Sequence, residues 1–216
     1  MSAGRGATAG AGREPIGQGS AGRVIAGTAR GIRLTAPGPG TRPLADRVKQ
    51  TLFAILEPEL PGARVLDLFA GSGAGGIEAL SRGAAAAVFI ERDPGAVATI
   101  RANLARTHTA GPGATVVQAD VLRWLAGASG PVSGPYHVAL LDPPYDRIEL
   151  LTEALEALAG GRLLHEPAVV VAKHFWKDRL PEQIGLLRST RERRFGDTAL
   201  TFYRSGGSDG SGEEEA

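Results

Sequence analysis

The run VALLDPPYD, residues 138–146, carries an apolar stretch into an acid, two prolines and a tyrosine. Proline fixes φ, removes an amide donor and pushes the residue before it towards extended geometry. Asp142 is therefore held in line with the stretch that precedes it. Its carboxylate and the carbonyl of Pro143 make a row of acceptors with few N–H groups nearby, Pro144 stiffens the exit, and Tyr145 adds a flat ring. Such a group suits a planar ligand bearing N–H donors. Taken alone, the tetrapeptide reads equally well as a rigid turn leaving a sheet.

A second cluster lies upstream in DLFAGSGAGG, residues 67–76. Gly71, Gly73 and Gly75 permit a tight turn and close approach of a ligand to the backbone. Gly71, Gly73 and Gly76 also satisfy G-x-G-x-x-G, so a dinucleotide site is an alternative. Asp67 bears on that choice, because a carboxylate just before the loop repels a pyrophosphate and attracts an ammonium or sulfonium. Glu91, 24 residues after Asp67, ends the next apolar run and can accept both hydroxyls of a ribose, which suits either cofactor. Asp120 ends a third run and could accept from an adenine amino group.

These acids need a scaffold that brings strand ends together. From residue 64 the chain alternates strand and helix signals: RVLDLFA, AAVFIE, ATVVQAD, YHVALLD and AVVVAKH are apolar runs, with helical segments between them. This alternation predicts a doubly wound α/β sheet, mainly parallel and seven-stranded, whose ligands bind at the carboxyl ends of the strands. LLRSTRERRF and TALTFYR meet at Gly196-Asp197 with no room for a helix, so they should form an antiparallel edge hairpin. Upstream, Arg23–Ala26 and Ile32–Thr35 read as a small N-terminal β-hairpin. A helix is expected from near Pro43, with Val48, Leu52, Ile55 and Leu56 on one apolar face and Arg47 and Lys49 off it.

At 216 residues the chain suits one domain with a full core. Residues 22–204 read as that domain, and 1–21 and 205–216 as disordered tails. The absence of cysteine excludes disulfide frameworks and thiolate metal sites, and His108, His137, His165 and His174 lack ligand spacing, so no metal is expected. No apolar run approaches membrane-spanning length. Net charge is +1, yet within residues 1–50 eight basic residues face only Glu14 and Asp46. Arg23, Arg30, Arg33, Arg42, Arg47 and Lys49 thus form a candidate arm for an anionic partner.

Residues 64–146 resemble the S-adenosylmethionine-dependent methyltransferases of the doubly wound class. DPPY matches the [D/N]-P-P-[Y/F/W] motif of enzymes that methylate amino nitrogens. RVIAGTARGIRL, GTRPLADRVKQTLFAIL, DLFAGSGAGGIEALSRGA and RFGDTALTFYR together resemble the RsmD-type 16S rRNA guanine-N2 methyltransferases over residues 22–204, with Gln50 where members usually carry Glu. The resemblance implies S-adenosylmethionine as cofactor, held by Asp67, Phe69, Gly71, Ser72, Gly73, Gly75, Glu91, Arg92, Asp120 and Val121. It implies catalysis by Asp142, Pro143, Pro144 and Tyr145, and a guanine in 16S rRNA, within a small-subunit particle, as substrate. A cytoplasmic monomer without membrane contact is expected.

Three other readings compete. An adenine-N6 nucleic-acid methyltransferase shares the core but usually carries a separate target-recognition domain, for which this chain has no room. An NAD-type oxidoreductase uses the glycine loop and leaves DPPY idle. A non-catalytic RNA-binding module keeps the basic arm without needing acids at four strand ends.

Overall fold

The computed structural model describes residues 19–38, 46–127, 132, 134–144, 146–160 and 163–206. The described residues open with β1 (Ser20–Arg23), β2 (Arg33–Thr35) and helix α1 (Asp46–Leu56). There follow β3 (Arg64–Leu68), α2 (Ala74–Ser81), β4 (Ala86–Glu91), α3 (Pro94–Arg106), β5 (Ala114–Gln118) and α4 (Val121–Gly127). The last elements are β6 (Tyr136–Leu141), α5 (Ile148–Ala159), β7 (Leu164–Phe175), β8 (Gln183–Ile184), β9 (Leu187–Phe195) and β10 (Thr198–Ser205). No helix among the described residues is long and apolar enough to cross a membrane.

The main sheet runs β5-β4-β3-β6-β7-β10-β9-β8, parallel from β5 to β7 and antiparallel beyond. Among the described residues it has eight strands where seven are expected. The extra one is the two-residue β8, too short to leave a periodic pattern. β1 and β2 pair separately as the expected antiparallel hairpin. Its first strand begins at Ser20, within the stretch expected to be a tail, and β10 likewise takes in Ser205; the remainder of both tails lies outside the described residues.

The sheet divides the core into two layers. One face packs Val65, Phe89, Leu140 and Val171 against the hairpin, α1, α2 and α3, with Phe53, Ile77 and Ile100 among the contacts. The other packs Leu66, Ile90, Leu141 and Val170 against Leu125 of α4 and Leu151 and Leu155 of α5. The inner strands β3, β4 and β6 are covered on both faces, which is why they read as nearly continuous apolar runs. Asp93 caps α3, accepting from Ala96 N at 2.7 Å, with Pro94 in the first turn.

The hairpin is bolted to α2. The Glu78 carboxylate, fully buried, accepts from Ile25 N at 2.7 Å, Ala26 N at 3.0 Å and Arg82 Nε at 2.9 Å. One turn on, Ser81 O accepts from Thr28 N at 2.8 Å, and Ser81 Oγ accepts from Ala29 N at 2.9 Å. A Cβ on Gly27 would lie 1.7 Å from Ser81 O, so only glycine permits this approach.

Lys49 completes the cluster and corrects an expectation. It is 0% exposed on the inner face of α1, its Nζ donating to the carbonyl of Arg23 and lying 3.9 Å from Glu78 Oε2. It therefore cannot reach an external phosphate. Burial pulls its pKa below the usual lysine value, while Glu78 opposes that shift. Glu78→Ala would strand two amides and leave Lys49 without its buried counter-charge. The expected loss in urea denaturation is about 3–5 kcal/mol, with Lys49→Met in the same background recovering part of it; an unchanged midpoint for Glu78→Ala would contradict the role of this cluster.

Candidate active site

The parallel register of β4, β3 and β6 brings Glu91, Asp67 and Asp142 to the carboxyl edge of the sheet. Cross-strand pairing sets Asp67 against Phe89 and Leu140, and Glu91 and Asp142 each follow two residues later on their strands. Residues two apart share a face, so all three acids point to the layer that holds the hairpin and α1 to α3.

Asp67 is buried beneath the start of α2, its Oδ2 accepting from Gly76 N at 2.8 Å. A Cβ at Gly75 would lie 2.9 Å from Leu140 Cδ1 and 3.2 Å from both Asp67 oxygens; one at Gly76 would sit 2.3 Å from the Phe89 ring. Glycine at both positions lets the helix pass this close to β3 and β4. Burial pushes Asp67 up to about 7, the Gly76 N–H pulls it down, and the neighbouring charges of Asp142 and Glu91 push it further up.

The turn between β3 and α2 is tightly wound. Phe69 takes φ 59°, Gly71 φ 56° and Gly73 φ 76°, and Phe69 is a bulky residue in a left-handed conformation that such side chains rarely adopt. Glu91 holds this turn: Oε2 accepts from Gly71 N and Oε1 from Asp93 N, both at 2.9 Å. Each oxygen keeps a lone pair for another donor. Ser72 O accepts from Nδ2 of the buried Asn103, whose amide also exchanges hydrogen bonds with Thr35 N and O, all at 2.9 Å. Asp120 caps α4, with Oδ1 accepting from Arg123 N at 3.1 Å. Arg92 is exposed and Val121 buried.

A buried acid beneath a glycine turn, with two further acids beside it, suits a cation. The same charge would repel a pyrophosphate placed on the loop, which weighs against a dinucleotide. The residues present therefore fit a ligand with an ammonium or sulfonium centre and a ribose, and the site offers both a carboxyl for the cation and free acceptor capacity on Glu91.

Asp142 leaves β6 with its side chain 37% exposed. Lys173 Nζ donates to Asp142 Oδ1 at 2.5 Å from the adjacent strand β7, where Leu141 pairs with Ala172. No described residue donates to Asp142 Oδ2 or to the carbonyl of Pro143. Pro143 is buried and Pro144 exposed. Tyr145 lies outside the described residues. Lys173 is a functional candidate that reading from motifs misses; the signal was there, as the single cation inside the apolar run AVVVAKHF.

Of the basic arm, Arg30, Arg33 and Arg47 are exposed, and Arg23 is exposed while paired with Asp46 at 3.3 Å. Lys49 is withdrawn into the core, and Arg42 lies outside the described residues.

The family model described as conserved hypothetical protein 95 matches residues 22–204. The ribosomal RNA small subunit methyltransferase D of Escherichia coli K12 is 37% identical over 195 residues, 90% of this chain and 93% of that protein. Its namesake in Haemophilus influenzae Rd is 34% identical over 188 residues, 85% of this chain and 93% of that protein. A solved structure of a hypothetical protein from Thermus thermophilus superposes with a TM-score of 0.70 at 36% identity, covering 83% of this chain and 97% of that one. The chain thus belongs to the conserved hypothetical protein 95 family, the RsmD family of methyltransferases, and is itself a methyltransferase.

Proposed function

We propose that the protein is a 16S rRNA guanine-N2 methyltransferase that uses S-adenosylmethionine. The observation that carries this reading is the Asp142 carboxylate at the end of β6, anchored through one oxygen by Lys173 and facing the same crevice as Asp67, Glu91 and the glycine turn. The names of the relatives support a small-subunit rRNA substrate. Asp67, Phe69, Gly71, Ser72, Gly73, Gly75, Glu91, Arg92, Asp120 and Val121 would hold the cofactor, which when bound supplies an electrophilic methyl group and needs no metal or acid to activate it.

The task of the chain is positioning. The exocyclic amine of guanine is a weak nucleophile because its lone pair is delocalised into the ring. Lys173 occupies Asp142 Oδ1, leaving Oδ2 and the Pro143 carbonyl to accept the two amine hydrogens and turn the lone pair towards the methyl. The prolines restrict the backbone that carries these acceptors. Tyr145 would stack on the base. Unstacking the base costs a few kcal/mol and is cheapest in an RNA loop, where Arg23, Arg30, Arg33 and Arg47 of the arm, with Arg42, would hold phosphates.

Asp142→Ala should retain fold and cofactor binding and lose ~10²–10³-fold in turnover. Mass spectrometry of digested rRNA should show guanine methylated on its exocyclic nitrogen. Methyladenine in its place would move the enzyme to the adenine-N6 class, and a fully active Asp142→Ala would overturn the mechanism.

Lys173→Met should lower kcat by ~10²-fold with little change in cofactor affinity, the scale of a misplaced reacting group. Lys173→Arg should recover part of the loss. Parent-like turnover by Lys173→Met would remove Lys173 from the mechanism.

Asp67 gives a pH signature. Its folded pKa, raised to about 7 from 3.8, means that burial favours the neutral acid. Its contribution to stability is full below the unfolded pKa and is lost as pH rises through 7. A cation bound beside it favours the anion, so binding should expel a proton at about pH 6–7, and affinity should rise with pH up to about 7 and then level. Calorimetry in buffers of differing ionisation enthalpy should register that proton, and Asp67→Asn should abolish it; buffer-independent enthalpies in the parent would place the cation elsewhere.

A further inference from the structure

Four of the nine residues of β9 are arginines, Arg188, Arg191, Arg193 and Arg194, and all four are exposed. Elsewhere Arg82, Arg147 and Arg204 are matched by Glu57 and Glu78, Glu149, and Glu59. None of the four on β9 forms an ion pair with a described residue. Two have other engagements: Arg188 donates to Gln183 Oε1 at 3.3 Å, and Arg194 lies over the Trp176 ring, 3.4 Å from its centroid, and donates to Gly196 O. Arg193 uses one donor on the Glu192 carbonyl at 3.0 Å and keeps the rest, while the guanidinium of Arg191 has no hydrogen-bond or ion-pair partner among the described residues.

The register shows where these two arginines face. Arg193 pairs with Leu200, and Leu200 with Lys173; Arg191 pairs with Phe202, and Phe202 with Val171. Residues directly opposite in a sheet project to one face. Arg191 and Arg193 therefore share the face of Lys173 and of Asp142, with Arg193 two strand spacings, ~10 Å, from Lys173. Glu192, the one acid on the strand, faces the opposite side and accepts from Thr201 at 3.5 Å. β8 pairs with β9 only at Leu187 and Arg188, so no described strand pairs with this edge from Arg191 onward. The N-terminal hairpin sits on the same face but over α2 and α3, on the other side of Asp142 in the strand order.

We propose that Arg191 and Arg193 form a second phosphate-binding rim for the RNA substrate, so that the chain grips the strand on both flanks of the target base. The proposal rests on the rRNA reading above. Two like charges held on one face with no counter-charge among the described residues repel each other, and a phosphate strand supplies anions at positions where the base at Asp142 already brings RNA. A grip from the hairpin side alone would leave the strand free to swing; a second grip beyond Asp142 fixes it while the base is out of its stack.

The test compares the full chain with Arg191→Gln/Arg193→Gln in binding to an unmethylated small ribosomal subunit particle across a salt series. The double variant should bind more weakly, with a log K against log salt slope shallower by ~1–2, and a raised KM for the particle. Its cofactor affinity and melting temperature should match the parent. Arg191→Lys/Arg193→Lys should restore the slope. A parent-like slope and KM in the glutamine variant would overturn the proposal and leave the arginines as a guard on this sheet edge. A parent that neither binds nor methylates the particle would instead overturn the rRNA reading, and this proposal with it.

Discussion

The buried carboxylate of Glu78 is the constraint on which the arrangement of the functional parts depends. It gathers two amides of the hairpin, the guanidinium of Arg82 and, at longer range, the ammonium of Lys49. A charge in such a place is tolerated only when its lone pairs are filled and opposite charges surround it. Here the partners come from three segments far apart in sequence, so satisfying one carboxylate fixes the hairpin, α1 and α2 relative to one another. Because α2 begins at the glycine turn, the same interaction sets the arm's position relative to the crevice.

The crevice gathers several acids within a small space, and each is managed differently. Glu91 is wired into backbone amides, Asp67 is buried and driven towards its neutral form, and Asp142 is paired with Lys173. The result is a graded site. One carboxyl is anchored by the loop it shapes, one awaits a positive charge to become an anion, and one presents an oriented oxygen to whatever enters from the open side. Three unmanaged carboxylates at this spacing would repel one another and any nucleic acid as well.

Much of this was visible in the residues alone. The inner parallel strands are covered on both faces and so read as apolar runs, and acids at their ends beside a glycine turn stand out because nothing apolar explains them. What was hidden follows from partners supplied by distant segments. Lys49 looks like a solvated charge, although its spacing to Phe53 and Leu56 puts it on the inner face of α1; only the presence of Glu78 across the interface makes that burial tolerable. Lys173 carries no motif, and its meaning depends on the register of β6 against β7. Glu78 and Asn103 sit in ordinary-looking helices and acquire their roles when the hairpin docks. The strand β8 escaped notice because two residues carry no period.

Asn103 has one more consequence. Its amide clasps the backbone of Thr35 in the hairpin and the carbonyl of Ser72 in the glycine turn at the same time. Any local opening of that turn must either break these bonds or carry β2 along, so the glycine turn and the hairpin are mechanically tied. A ligand that held the turn closed would therefore also hold β2 in place for as long as these bonds persist.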